Sequence, residues 1–405
     1  MVKLDLTKIW QYLYGTLKTT KTTFRRFRKT NVLEIQPIPT YRRTEKQDKV
    51  RNTFTFCIDT WKSLSEEDKA KWKEEGTRLK LTGYQAFLSY CLRNPTQFLH
   101  YKVKIDNSNN PSDLTDYQIL INVVNDATFF NTFANSHVFM EVYDSDGITP
   151  LSFYVEEWDQ TNKNAKIWVK VPFIPANSIK YIYLRYNGKR TTTLSNGPNT
   201  FVFFDDFESY PEGSNINNQG GWITKRIGGS GEAKIRVIND RKHLRLYSTS
   251  YGTTVVHQAN VSNAGYAFRV KVWMANVTDS FNQEFGDGNI TTGGEVYNGY
   301  SFTWWGWANT ASKIRRYVNG TSTDLASISD SGVANRYYLF EILWLRSSLK
   351  ALRDNTLKMQ ATDTYYTSRS YIHMYVWTNV DCYVDYVILR KYTSPEPATS
   401  YIKQI

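Results

Sequence analysis

Three carboxylates crowd the stretch Asp205, Asp206 and Glu208. A sandwich enzyme that cleaves glycosides needs two carboxylates on one strand, facing one cleft, as acid and nucleophile. Asp206 and Glu208 would share a face at the start of a strand, but no third partner follows them. The pattern Glu-x-Asp-x-x-Glu, or a close variant, is absent from the sequence. We therefore read these carboxylates as structural and expect no enzyme. The five histidines (His100, His137, His243, His257, His373) are dispersed and lack metal-ligand spacing. His373 alternates within a strand and reads as a satisfied sheet residue. No nucleophile elbow or phosphate loop occurs.

Binding chemistry has better candidates. Tyr300, Trp304, Trp305 and Trp307 cluster, and exposed aromatic faces stack on the C–H faces of pyranose rings. Strand alternation sends Trp304 and Trp305 to opposite faces, so one of them at least belongs to a core. Packing or a subunit interface is the alternative reading of the cluster. Glu284, Asp287 and Asn289 bring hard oxygen ligands to a Gly-rich loop, the type that calcium takes. Asp-Gly and Gly-Asn also form plain turns, which is the competing reading; no other cofactor is expected. Asn260, Asn276, Asn289 and Asn319 each open a glycosylation sequon, which matters only in a glycosylating host.

Charge is unevenly placed along the 405 residues, whose net charge is +12. Residues 1–100 carry 20 Lys/Arg against 10 Asp/Glu; residues 101–208 carry 9 against 13. The first 51 residues hold 13 basic and 4 acidic groups. Around Arg25, Arg26, Arg28 and Lys29 the cations interleave with Phe24 and Phe27. Such an arm suits an anionic partner: nucleic acid through phosphate contacts with stacking, or a docking surface on other subunits. A solvated tail is the plain alternative.

The elements that must position these residues change character along the chain. Residues 1–100 read as mainly helical. Ile9, Tyr12, Leu13 and Leu17 lie at helical spacing, whereas Ile35-Gln36-Pro37-Ile38-Pro39 must be extended. Ser65 reads as an N-cap, and Thr82-Gly83-Tyr84-Gln85 as a capping box. That box opens a helix with Tyr84, Phe87, Leu88, Cys91 and Leu92 on one face. Cys57 and Cys91 can pair if their helices pack, but two buried thiols are the favoured reading. From Tyr101 the period becomes two. Ile119, Ile121 and Val123 alternate, as do Val138, Met140 and Val142, then Ile167, Val169 and Val171, then Ile182, Leu184 and Tyr186. After a Gly/Asn/Ser-rich passage at 212–221, dense alternation resumes through Cys382–Leu389. The fold class is mainly β: two consecutive antiparallel β-sandwich or jelly-roll domains after a small helical region. The expected divisions are a basic arm at 1–51, a helical module at 52–100, a sandwich at 101–200 and a jelly roll at 201–405. No run of about 18 apolar residues occurs, and the N-terminus does not read as a secretory signal.

Four motifs in order carry a resemblance: Tyr117-Gln118-Ile119, Ile167-Trp168-Val169-Lys170-Val171-Pro172, Tyr181-Ile182-Tyr183-Leu184-Arg185-Tyr186-Asn187-Gly188 and Phe204-Asp205-Asp206-Phe207-Glu208. With them, Tyr101–Glu208 resembles a β-domain family of unknown activity found in surface proteins of archaea and bacteria. There a concanavalin A-like (laminin G-like) lectin jelly roll commonly follows. Here Tyr383–Tyr392 looks like the last strand of that jelly roll, and Phe204–Glu208 like its first. The segment from Trp61 to Phe87 is similar to a module in proteins of phages and archaeal viruses. These resemblances imply glycan binding or protein contact without catalysis. Together with the missing export signal, they point to an oligomeric spike, turret or fibre on a virion surface, assembled with other virion proteins for host attachment to a glycan or glycoprotein. The alternative is a carbohydrate-binding adhesin at a cell surface. A glycan-active enzyme ranks below both.

Overall fold

The computed structural model describes residues 20–27, 30–37, 45–64, 66–95 and 99–404. The expected helix around Ile9–Leu17, together with Ser65, Arg28 and Lys29, lies outside the described residues. The chain divides into two compact units, Met1–Thr55 and Phe56–Ile405. Within the first unit, strands β1 (Thr20–Phe27) and β2 (Thr30–Pro37) form an antiparallel hairpin. This corrects the helical expectation for residues 20–27 and 30–34, while Ile35–Pro37 is extended as expected. The run Thr19-Thr20-Lys21-Thr22-Thr23-Phe24 is β-branched and aromatic, so strand propensity prevails. Arg25 and Arg26 fall on β1.

Three helices follow, Glu45–Ser63, Glu66–Leu79 and Gly83–Arg93. The Thr82 hydroxyl accepts from the Gln85 amide at 3.2 Å, and the Gln85 side chain accepts from the Thr82 amide at 3.0 Å. This is the capping box that the sequence announces. The last helix buries Phe87 and Cys91 but leaves Tyr84 and Leu92 exposed. Trp61 and Trp72 close on Phe87 with ring centroids 5.3 and 5.4 Å away. This packing brings the Cys57 and Cys91 Cα atoms to 5.8 Å, and they form a disulfide. Two buried thiols are therefore not what the fold holds; Cys382 is the free, buried cysteine.

The body is built from strands. They are β3 (Tyr101–Asp106), β4 (Leu114–Val123), β5 (Met140–Tyr143), β6 (Phe153–Asp159), β7 (Asn164–Ile174) and β8 (Ile179–Tyr186), then β9 (Phe203–Asp205), β10 (Trp222–Arg226), β11 (Glu232–Ile238), β12 (Arg241–Tyr247), β13 (Thr253–Ser262) and β14 (Tyr266–Met274). After these come β15 (Phe281–Gly286), β16 (Gly299–Trp305), β17 (Ala311–Val318), β18 (Thr321–Ser329), β19 (Arg336–Leu345), β20 (Ser348–Arg353), β21 (Thr356–Thr362), β22 (Ser368–Val376), β23 (Asp381–Lys391) and β24 (Ala398–Lys403).

The first sandwich packs the sheet β24-β3-β8-β5 on the sheet β4-β7-β6. Its core takes Val103, Ile105, Ile119, Ile121, Val123, Ile167, Val169, Val171, Ile182 and Leu184, the period-two positions read from the sequence. Val138 lies in a short helical turn, His137–Phe139, and the strand begins only at Met140. The second sandwich stacks β10-β13-β22-β15-β16-β17-β18 on β11-β12-β23-β14-β19-β20-β21, with β9 beside β23.

The jelly roll does not run to the end of the chain as expected. β24 pairs with β3 of the first sandwich, from Ala398↔Asp106 to Lys403↔Tyr101. The larger sandwich is thus inserted into the smaller one. A buried ion chain bolts them together. Glu156 of β6 accepts from Arg269 of β14 at 2.8 Å, from the Trp168 indole at 2.8 Å and from the Tyr386 hydroxyl at 2.5 Å. Glu341 accepts from Arg390 at 3.1 Å, and Arg390 also donates to Glu396 at 2.6 Å. Tyr117 of β4 closes the chain by donating to Glu396 at 2.7 Å. Burial alone would raise the Glu156 carboxyl, but the Arg269 guanidinium and its hydrogen bonds outweigh it and hold the pKa below the ordinary value. No helix among the described residues is long and apolar enough to cross a membrane.

Candidate ligand-binding face

The seven-stranded sheet has two unlike faces. Phe281, Phe285, Phe302, Trp304, Ile372, Met374 and Val376 point into the core. Their neighbours in the alternation, Asn282, Glu284, Ser301, Thr303, His373 and Tyr375, therefore point away from it. Register sets them side by side: Asn282 lies opposite Thr303 on one side and Tyr375 on the other, and Glu284 opposite Ser301 and His373.

The 287–298 loop lies across this polar face. The Val296 amide donates to Glu284 at 3.0 Å, and the Thr254 hydroxyl donates to the Gly294 carbonyl at 2.6 Å. The Gly293 carbonyl accepts from the Gly252 amide at 3.1 Å and from the Tyr375 hydroxyl at 3.3 Å. Glycine at 286 makes the close approach feasible. A Cβ there would sit 2.5 Å from both the His373 ring and the Val296 side chain. Beneath the loop, Glu284 and His373 are fully buried. The His373 Nδ1 stands 3.5 Å from Glu284, and neither ring nitrogen has a hydrogen-bond partner. The expectation of a satisfied sheet histidine is therefore corrected. Backbone groups saturate a sheet's ladder, and here the cross-strand neighbours leave the ring no bonded partner.

Beside the loop, towards Gly306, a cavity of about 240 Å³ opens. Asn282 and Thr303 form its floor, Tyr375 and Trp377 line it with aromatic surface, and Asp279 and Glu295 contribute carboxylates. The floor residues are 1% and 2% exposed, yet the Asn282 Oδ1 and the Thr303 hydroxyl have no hydrogen-bond partner. A buried polar atom left unpaired costs about 1–3 kcal/mol, a cost that an incoming polar group bonded to this floor would remove. Arg315, also at the lining, donates to Asp324 at 3.2 Å and to the Tyr317 hydroxyl at 3.2 Å. Burial, with the fields of Glu295 and Glu284 behind it, pushes the Tyr375 phenol well above its usual value. The Tyr317 phenol is pushed up to about 12, again mainly by burial.

The sequence-derived candidates are distributed differently. Tyr300, Trp304 and Trp305 are wholly buried in the core and present no face to a sugar. Trp304 stacks on Phe340 at 4.6 Å. Trp305 escapes the alternation because β16 ends there, with φ at 59°, which turns its ring inward against Tyr338. The side chain of Trp307 lies outside the described residues. Glu284, Asp287 and Asn289 do not converge. Asp287 accepts from Asn289 and Asn298, while Glu284 belongs to the sheet face. Among the described residues no group of three or more His, Cys, Asp or Glu is placed to hold a metal. Of the sequons, Asn260, Asn289 and Asn319 are exposed, and the half-buried Asn276 accepts from the Asp381 amide. Asp205 is structural, as read: it accepts from the Trp222 indole at 2.7 Å and from the Tyr210 hydroxyl at 2.6 Å. The sequence reading missed Asn282, Thr303, Tyr375 and Trp377. Polar residues in phase between Phe281 and Phe285 were the available signal.

These sheets define a mainly β protein of antiparallel sandwich domains. Within that class, residues 138–225 match a family described as a domain of unknown function (DUF2341). No curated protein matches the sequence. Among solved structures the chain is similar to the carbohydrate binding module CBM66 from Bacillus subtilis, at 14% identity and a TM-score of 0.34 over 44% of this chain and 100% of that one. It is also similar to the Ca2+-bound exoplasmic/lumenal domain of VIP36, at 13% identity and a TM-score of 0.34 over 45% of this chain and 90% of that one. For the T. cruzi calreticulin globular domain the figures are 9%, 0.35, 48% and 89%.

Proposed function

We propose that this is a carbohydrate-binding surface protein without catalytic activity, and that its ligand enters the cavity on the outer face of the seven-stranded sheet. The observation that carries the reading is the cavity floor. Asn282 and Thr303 are buried there with polar atoms unpaired, beside the aromatic surface of Tyr375 and Trp377. Polar groups that fix orientation beside rings that stack are what a sugar, with hydroxyls on its edge and C–H groups on its face, calls for. The non-catalytic part rests on β15, which turns Asn282, Glu284 and Gly286 to this face: the strand carries one carboxylate where a cleaving sandwich sets a pair, and Asp279 and Glu295 reach the cavity from outside the strand.

The Cys57–Cys91 disulfide supports placement at a cell surface, since such bonds persist in oxidising surroundings. Display on a virion would use the same face; mass spectrometry of purified particles against cell-envelope fractions decides between them. The binding test is a glycan array followed by titration calorimetry on the full chain. Trp377→Ala is expected to weaken binding by at least tenfold, and Trp304→Ala to act through stability alone. A wild type that binds no glycan, or a Trp377→Ala variant that binds as well as the wild type, removes the reading.

A further inference from the structure

Resting on that reading, we propose that the cavity is a subsite for one chain-terminal sugar ring bearing a free ammonium group, an amino sugar, with Asp279 and Glu295 as its counter-charges. Three observations converge. The first is size and closure. At about 240 Å³ the cavity is smaller than the ~300–1,000 Å³ of sites for drug-sized ligands, so it holds one ring. The 287–298 loop is bonded down over Glu284, Thr254 and Gly252, which bars a polysaccharide from continuing along the sheet on that side. A ring seated here is an end, not a middle.

The second is the balance of donors and acceptors. The unpaired Asn282 Oδ1 can only accept. Carboxylates at Asp279 and Glu295 accept as well: Asp279 takes the Ser280 amide at 2.8 Å and Glu295 the Thr291 hydroxyl at 2.7 Å, and a carboxylate has about four acceptor sites, while the lining cation, Arg315, donates to Asp324 and Tyr317. A donor-rich ligand suits this lining, and an ammonium offers three donors with charge assistance. The third is the field. Glu284 lies buried in the same sheet face, so carboxylates stand both at the cavity wall and behind it. A uronic acid placed there would meet like charge; an N-acetylated ring would lose the cationic donors.

The test titrates the full chain with three trisaccharides of one linkage: glucosamine, N-acetylglucosamine and glucose. The glucosamine form is expected to bind at least tenfold more tightly than either other form, with the margin shrinking as salt is raised. Glu295→Gln, and independently Asp279→Asn, are expected to cut that margin by about tenfold. Circular dichroism spectra matching wild type establish that each variant is folded. Equal or tighter binding of the glucose or N-acetyl form overturns the amino-sugar assignment and leaves carbohydrate binding standing. An unchanged margin in both variants overturns the role of the two carboxylates. No binding of any sugar, here and on the array, overturns both.

Discussion

Replacing Glu156 with Gln isolates a charge inside the protein. Arg269 is 3% exposed at its side chain and loses the carboxylate at 2.8 Å; its remaining carboxylate, Glu341, is 3.6 Å away and already serves Arg390. Removing one partner of a buried ion pair costs about 3–5 kcal/mol, because the other charge stays desolvated. The residual Glu341 contact and the retained amide acceptor put this case at about 3 kcal/mol. The unit Phe56–Ile405 has an unfolding entropy of roughly 0.7 kcal/mol/K at the usual value per residue, so Tm falls by about 4 °C. Differential scanning calorimetry reads this directly. It also shows whether the transition splits, as expected if the ion chain couples the two sandwiches. The paired substitution Glu156→Gln with Arg269→Met removes the stranded charge, keeps an acceptor for Trp168 and Tyr386, leaves Glu341 and Glu396 on Arg390, and is expected to recover most of the loss. A single variant that melts within about 1 °C of wild type, or a pair that fares worse than the single, would refute the account of the junction.

Reduction of Cys57–Cys91, or Cys57→Ala with Cys91→Ala, opens a loop of sequence separation 34 and is expected to cost about 4 kcal/mol on chain entropy. Hydrogen exchange should then accelerate in Gly83–Arg93 while the sandwiches keep their protection; unchanged exchange there counts against it. His100 gives a pH signature. Burial first, then Arg185 and Lys403, lower its pKa from 6.5 to about 4, and the neutral ring accepts from the Tyr186 amide at 3.1 Å. The unfolded chain therefore takes up a proton below about pH 6.5 that the fold refuses until about pH 4, so stability falls across that window, on the order of 3 kcal/mol in total. His100→Asn should flatten the profile of denaturation midpoints between those limits; a profile as steep as the wild type's would show that another group is responsible.

Strands were legible where one face is core and the other is not. Ile119, Ile121 and Val123, or Ile167, Val169 and Val171, declare themselves by period two, and the core takes them all. The hairpin Thr20–Pro37 carries the same kind of signal in its β-branched run, which the interleaved arginines obscure. Partners across sheets were not legible. Asn282, Thr303 and Tyr375 meet because β15 lies between β16 and β22, a pairing of segments some 90 residues apart that no local pattern encodes. Trp305 shows a different limit. One residue with φ near 59° undoes the alternation that sets it on the face opposite Trp304. The Cys57–Cys91 bond depended on helix packing in the same way, and the capping box at Thr82 fixed where one helix begins, not what it faces.

The return of β24 to β3 sets an order of events during synthesis. β3 emerges from the ribosome about 300 residues before its edge partner, and the whole larger sandwich is made in between. Until residue 403 is delivered, β3 presents a row of unpaired amides and carbonyls, an edge that pairs readily with other chains. The inserted sandwich has its own core and can form while the smaller one waits. Sealing the edge therefore reports that translation has passed through both sandwiches. A chain released early carries an exposed strand, a ready target for proteolysis or aggregation, and is marked as unfinished by its own topology.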